Sequence, residues 1–314
     1  MQLLRGRKNG VDALVISPDS RFVVATQVET GSCHLWDLDH PHLKARLLGG
    51  ADDPVSDATF TSPTALFALQ SLRGPHWVRH DPVTGARAPL PWPNRDVTGY
   101  GIVHPNGTHL KVSSYHAVSS DFDGVDEYEV DLVTLKVTAD SLELGAPAKR
   151  VPCPVSLIAF DPSGERYLTH EGYGGSPSLR DASTDTVVAT FDTNPNAFVL
   201  GTDMWAFTPD GRRLLAVTDN DMVAYDCRVG GPPTARFTPP SGIKLHALAV
   251  HPDGRRVATV EDGRTVTLRD ADTLQPLRSY DFAMPRVTCV AFTPDGTRCV
   301  IGNSRGKVLL FDVE

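Results

Sequence analysis

A turn motif of the form apolar–x–Pro–Asp/Ser/Asn–Gly recurs from one end of the chain to the other, and this recurrence constrains the fold more than any other feature. It reads Ile16-Ser17-Pro18-Asp19-Ser20, then weakly Phe60-Thr61-Ser62-Pro63, then Val103-His104-Pro105-Asn106-Gly107 and Phe160-Asp161-Pro162-Ser163-Gly164. The last three copies are Phe207-Thr208-Pro209-Asp210-Gly211, Val250-His251-Pro252-Asp253-Gly254 and Phe292-Thr293-Pro294-Asp295-Gly296. Successive prolines stand 45, 42, 57, 47, 43 and 42 residues apart. Self-similarity at this period signals stacked units, each too small to bury its apolar face alone. Within a unit, Pro presets φ at the first corner, Asp or Asn bonds its own backbone, and Gly takes the positive φ that closes a hairpin. The flanking runs, such as Val287–Phe292 and Arg213–Val217, are apolar at nearly every position, which suits strands buried on both faces.

A second landmark trails each turn. An aspartate closing a third strand follows the proline by 19, 18, 26, 19, 17, 18 and 18 residues, at Asp37, Asp81, Asp131, Asp181, Asp226, Asp270 and Asp312. Runs such as Ala45–Leu48 and Thr186–Thr190 supply a fourth strand. Four strands in each of seven units predict an all-β fold, a seven-bladed β-propeller of four-stranded antiparallel blades, with residues 1–314 forming a single domain. A chain of 314 residues with 26 Gly and 25 Pro fits a closed β architecture of many short elements. The last blade runs out at Phe311-Asp312-Val313-Glu314 without a fourth strand, and Gln2-Leu3-Leu4-Arg5 is expected to complete it. Such closure removes the free sheet edges that invite aggregation.

These residues resemble the WD-repeat (WD40) propeller family, and the resemblance covers essentially the whole chain. Trp36-Asp37 is the literal WD pair, while the other six blades carry HD, VD, RD, YD, RD and FD there. The Gly-His dipeptide usual in the family before the first strand is absent, so its tetrad of His, Asp, Ser/Thr and Trp does not carry over. The resemblance implies a divergent, bacterial-type member. It also implies a scaffold or adaptor that binds a protein or peptide across one rim, not an enzyme.

Charge and composition narrow the partners. A net charge of −8, from 38 acidic and 30 basic residues, argues against a nucleic-acid footprint. No apolar run is long enough to span a membrane, and charges at Arg5, Arg7 and Lys8 stand where a secretory signal needs its apolar core. A cytoplasmic location is therefore expected. Cys33, Cys153, Cys227, Cys289 and Cys299 are odd in number and lack CxxC spacing, as free core thiols would be. Cys289 and Cys299 lie on two arms of one predicted hairpin but not opposite each other.

Catalytic and metal patterns fail on context, and no cofactor is expected. Gly302-Asn303-Ser304-Arg305-Gly306 matches G-x-S-x-G, but it lies in a predicted hairpin turn with no His after it. His40 and His42 flank a proline without further ligands; His104 and His251 are turn residues, and His246 reads as a core histidine on an apolar strand. The acidic loop 121–127 departs from the EF-hand spacing, leaving a solvated loop as the reading and Ca²⁺ as an open alternative.

What remains is surface. The Pro-Asp-Gly turns share one rim; the opposite rim collects the links between second and third strands and the links leading into each blade. Variable loops on a rigid scaffold are where binding is housed. The candidate partner-binding residues there are Arg73, His76, Trp92, Arg95, Tyr115, His116, His170, Tyr173, Asn196, Phe198, Met284, Arg286 and Arg305. Aromatic and arginine side chains dominate binding energy in desolvated patches. Blade 3 is the outlier, its extra residues falling in 113–122 as a longer loop on that rim. The partner is expected to be a protein or peptide, with no nucleic acid and no membrane, and the free protein a monomer. The alternative is a small-ligand or lactonase-like hydrolytic propeller using the central channel, where Asp12, Asp57, Asp203 and His246 would have to converge.

Overall fold

The Pro-Asp-Gly motifs close hairpins as their chemistry requires. Gly107, Gly164, Gly211, Gly254 and Gly296 take φ of 69°, 76°, 67°, 70° and 72°, and Ser20 takes the same left-handed place in the first copy at 63°. In the computed structural model of the protein, the described residues are 1–4, 10–27, 29–49, 52–70, 76–90, 101–120, 126–137, 142–144, 149–151, 155–171, 176–193, 205–218, 220–282, 284 and 286–313. They form seven antiparallel sheets.

Blade 1 contains Ala13–Ile16, Phe22–Gln27, Ser32–Asp37 and Arg46–Gly49; blade 2 contains Val55–Ser62, Ala65–Gln70, His76–His80 and Arg87–Leu90. Blade 3 contains Gly101–Val103, His109–Ser120, Asp126–Val137 and Leu142–Leu144, with Lys149–Val151 also pairing on its third strand. Blade 4 is built from Val155–Phe160, Arg166–Glu171, Pro177–Asp181 and Val187–Thr190, and blade 5 from Trp205–Phe207, Arg213–Thr218, Asp221–Asp226 and Ala235–Phe237. Blade 6 has Leu245–Val250, Arg256–Glu261, Thr265–Asp270 and Pro276–Asp281. Blade 7 has Val287–Phe292, Arg298–Asn303 and Val308–Asp312, and its fourth strand is Gln2–Leu4. Gln2, Leu3 and Leu4 pair with Leu310, Leu309 and Val308, so the expected closure is present.

Among the described residues the apolar core divides into seven clusters, one at each junction between neighbouring blades. Val23 and Ala25 face blade 7 and pack with Leu4, Val300 and Leu310, while Phe22 and Val24 face blade 2 and pack with Val55 and Leu66. Alternate residues of one strand thus serve two junctions, because side chains in a strand point to opposite faces. This is why the strands read as continuous apolar runs. Among the described residues, the junction of blades 3 and 4 has the smallest apolar cluster, centred on Leu157 and Tyr167. A buried ion pair of Lys111 with Asp185 sits there, and the Tyr167 hydroxyl donates to the same carboxylate at 2.6 Å.

The position before the third-strand aspartate is a buried plug whichever residue occupies it. Trp36, His80, Arg180, Tyr225, Arg269 and Phe311 are between 1% and 8% exposed. The two arginines are satisfied alike. Arg180 Nε donates to Thr169 Oγ1 at 3.3 Å and its Nη1 to the Asp185 carbonyl at 3.0 Å. Arg269 Nε donates to Thr259 Oγ1 at 3.2 Å and its Nη1 to the Leu274 carbonyl at 3.0 Å. Arg269 also holds Glu261 at 2.5 Å and stacks 3.5 Å over the Phe237 ring of blade 5. A buried guanidinium persists because each of its donors finds a partner.

Blade 3 corrects the sequence reading twice. Residues 113–120 are not a loop: the second and third strands run twelve residues each as one paired ribbon, with Tyr115 opposite Val130 and His116 opposite Glu129. Asp131, expected to close the third strand, pairs with Ser114 in mid-ribbon; Lys136, opposite His109, holds the closing position, and Leu135 is the buried plug. Cys33, Cys227, Cys289 and Cys299 are buried, and in the strand register Cys289 stands opposite Gly302 and Cys299 opposite Phe292. Cys153 and most of the acidic loop, residues 121–125, lie outside the described residues. Asp126 and Glu127 belong to the ribbon.

Candidate functional site

Strand order fixes which segments share a rim. The turns joining first to second and third to fourth strands lie on one face; the turns joining second to third strands and the links into each blade lie on the other.

The turn face spends its polar groups on itself. Asp81, Asp181 and Asp270 each accept from backbone N–H groups two and three residues on. The Ser183 hydroxyl and the Thr184 N–H hold the Asp181 carboxyl at about 2. Neighbouring turns also interlock. His251 accepts the Asp253 N–H on Nδ1 at 3.1 Å and places Nε2 2.9 Å from the Gly296 carbonyl of blade 7. Arg166 reaches the Gly211 and Cys227 carbonyls of blade 5, and Arg298 the Ser20 carbonyl of blade 1.

A cleft of about 730 Å³ opens on this face between blades 5 and 6. Asp210, Asp226, Asp253, Asp270 and Asp272 line it with Arg212, Arg213, Arg228 and Arg255. Arg213 bridges to Asp272 at 2.9 Å and Arg228 to Asp226 at 3.0 Å. The Arg228 guanidinium lowers the Asp226 pKa, and the Thr208 hydroxyl lowers that of Asp210. Burial opposes ionisation of Asp253, yet the Arg255 N–H and the Arg256 guanidinium bring it to about 2. Arg255 alone among the four arginines has no ion pair among the described residues. The cleft is highly charged and largely self-neutralised.

The opposite rim is held differently. Its turns carry the blade junctions through the backbone: Val55 N–H donates to Gly31 at 2.9 Å, Val287 to Gly263 at 2.6 Å and Val11 to Asn303 at 3.0 Å. Leu245 N–H donates to Asn220 Oδ1 at 2.8 Å. With structure assigned to main chain, side chains on this rim are left over. Arg286 and Arg305 are exposed, with no side-chain ion pair or hydrogen bond among the described residues. They are neighbours, since Ser304 N–H donates to the Arg286 carbonyl at 3.0 Å. Asn303, fully buried, fixes the turn by accepting the Arg305 and Lys307 N–H groups at 3.0 and 2.8 Å.

The other residues predicted for this rim divide into three groups. Arg73, Trp92, Arg95, Tyr173, Asn196 and Phe198 lie outside the described residues. His76 opens a strand opposite Gln70; Tyr115 and His116 belong to the blade 3 ribbon; His170, half-buried, pairs with Ser156 and Pro177. Met284 is no surface contact: it is 4% exposed and packs with Val287, Phe292 and Phe311 between blades 6 and 7.

Of the channel candidates, Asp12, Asp57 and His246 are exposed, and Asp203 lies outside the described residues. His246 is therefore not a core histidine. A bulge between Leu245 and Ala247 shifts the register and turns its side chain outward. Asp57 accepts the Ala58 N–H at 2.8 Å. No group of three His, Cys, Asp or Glu among the described residues could hold a metal ion. No helix among them is long and apolar enough to cross a membrane.

Comparison with known proteins agrees with this architecture. The sequence profile of the WD domain, G-beta repeat, matches residues 1–37 and 275–312, the two stretches that meet where the ring closes. No curated protein matches the sequence. The β-propeller domain of Cps50 (Swd1) from Myceliophteria thermophila superposes with a TM-score of 0.71 at 14% identity, covering 100% of this chain and 99% of that one. Seven four-stranded blades, closed by the N-terminal strand, make this chain a seven-bladed β-propeller, similar to the WD domain, G-beta repeat, on both sides of the closure.

Proposed function

We propose that the chain is a non-catalytic protein- or peptide-binding module that works in the cytoplasm, using the rim opposite its Pro-Asp-Gly turns. The contrast between the rims carries this reading. On the turn face, charges are consumed in turns, interblade contacts and a self-compensated cleft. Arg286 and Arg305 on the other rim sit on backbone fixed by main-chain and Asn303 bonds, with their side chains unpaired among the described residues. A preorganised surface of this kind loses little entropy when a partner docks. Fold alone does not decide function, so the reading rests on this surface.

Affinity capture from native lysate tests it, with wild type beside an Arg286→Glu/Arg305→Glu variant. A stoichiometric protein recovered by wild type and lost with the variant is the expected result. Failure of both to retain any partner would refute the module.

A further inference from the structure

The described sector of that rim points to the chemistry of its partner. Three arginines stand on adjoining segments at the junction of blades 6 and 7. Arg264 is in the turn 262–264, Arg286 in the link entering blade 7, and Arg305 in the turn after Asn303. Contacts through the main chain order them. The space where a Cβ of Gly263 would stand is 3.1 Å from the Arg286 Cα, and Ser304 N–H reaches the Arg286 carbonyl. Acidic neighbours are already engaged. Asp262 Oδ1 accepts the Lys244 N–H at 2.9 Å, and Glu261 is bound to Arg269. Asp281 lies 3.6 Å from Arg264, with both side chains more than half exposed, a pair worth little in water.

Arg286 carries a second, independent signal. Its backbone φ is 59°, in the left-handed region where an L side chain is strained and glycine is not. Turn geometry would be served better by Gly, and among the described residues the guanidinium makes no bond that would offset the strain. Elsewhere Arg87 pairs with Asp53, Arg228 with Asp226 and Arg236 with Asp221, while Arg255 on the opposite face stands singly, without a second unpaired arginine beside it among the described residues. A strained, unpaired arginine beside another, in a chain of net charge −8, calls for an anion from outside.

We infer that Arg264, Arg286 and Arg305 form a docking site for an acidic protein segment, one presenting carboxylates at successive positions. This rests on the rim-binding reading above and specifies its partner. Arginine forks donate two parallel N–H bonds to a carboxylate, which suits a run of Glu or Asp side chains. A nucleic acid is the poorer fit, because long polyanions meet repulsion from the acidic remainder of the surface.

The test is fluorescence anisotropy with a labelled octaglutamate peptide and the full chain. Wild type is expected to bind it with affinity that weakens as salt rises. Arg286→Gly and Arg305→Ala should each weaken binding by about tenfold, the loss of one charge-assisted contact. Arg286→Gly should keep or raise Tm because it relieves the left-handed strain, so lost binding is separated from lost folding. Arg255→Ala removes an exposed, unpaired arginine on the opposite face and should leave binding unchanged. Absence of binding, an equal loss in Arg255→Ala, or tighter binding of an oligothymidylate of matched charge would each overturn the site. If lysate capture recovers a partner equally with wild type and Arg286→Glu/Arg305→Glu, this site falls while a binding module on another surface stands. Capture of nothing by either removes the module itself.

Discussion

Removing the Leu4 side chain should weaken the whole ring, although it lies four residues from the start of the chain. Leu4 is 2% exposed, opposite Val308, and packs with Val11, Val300 and Leu310 where blades 7 and 1 meet. Leu3, its neighbour on the same strand, is 46% exposed. Leu→Ala at a buried site costs about 2–5 kcal/mol, counting lost transfer energy and the cavity left behind. A value of about 3 kcal/mol fits a site on the outermost strand of a blade. Unfolding entropy near 2 cal/mol/K per residue gives about 0.65 kcal/mol/K for 314 residues, so Leu4→Ala should lower Tm by about 4–5 °C. Leu3→Ala should shift it by less than about 1 °C, because its side chain is already largely in water. Differential scanning calorimetry on both variants decides the matter. Deleting residues 1–6 goes further: it bares the outer edge of Val308–Asp312, and concentration-dependent aggregation should follow. Equal shifts for the two alanine variants, or a deletion that melts like wild type, would show that this strand does not close the ring.

Three further outcomes follow from buried groups and turns. Burial, aided by Arg87 and Arg46, brings the His80 pKa from 6.5 to about 4. The folded value is the lower one, so the unfolded chain takes up the proton first. Stability should fall by about 2–3 kcal/mol between pH 6.5 and pH 4 and level off below, seen as falling urea midpoints. His80→Phe, which places there the residue type of Phe311 in blade 7, should remove that share of the acid sensitivity; an unchanged pH profile would contradict the assignment. Arg269→Leu should cost about 3–5 kcal/mol because Glu261 loses its cation, and adding Glu261→Leu should recover part of it. A double-mutant cycle with coupling near zero would refute the pairing. Gly164→Ala and Gly231→Ala both force a left-handed alanine, at about 1 kcal/mol each. At Gly164 the new Cβ also meets the His104 ring of blade 3 at 2.1 Å, whereas Gly231 is open, so Gly164→Ala should be at least about twice as costly by urea denaturation.

The architecture was legible because its punctuation is chemical. Pro and Gly at a fixed spacing mark seven hairpins, and the two unfinished ends of the chain read as halves of one blade. Blade 3 shows where that reading stops. A ribbon lengthened by pairs of residues keeps its alternation and adds no Pro or Gly, so the count from Pro105 to Asp131 met an acid in mid-strand. His246 misled for a related reason: a bulge shifts the register without a residue that announces it. Met284 looked like a link residue because it follows the last strand of blade 6, and only packing places it in the junction core. The plugs Arg180 and Arg269 stand in the sequence only as RD pairs, with nothing local to mark them as buried. Aligning the repeats on their turn prolines puts both where other blades bury an aromatic side chain, with Thr169 and Thr259 on the second strand to receive them.

The binding surface was legible in type more than in detail. Sequence alone named Arg286 and Arg305, because links that depart from the repeat are free to carry partner contacts. Their lack of carboxylate partners is a property of three dimensions. The same residue type on the turn face, at Arg166, Arg213 and Arg298, holds the neighbouring blade through a carbonyl or a carboxylate. That face is bound to the repeat, because each Asp must cap its turn and each blade must grip the next. On the opposite rim the main chain does the gripping, through Gly31, Gly263 and Asn303. Side chains there can change without loosening the ring, and a propeller can acquire a specific partner on that rim while its fold stays as it is.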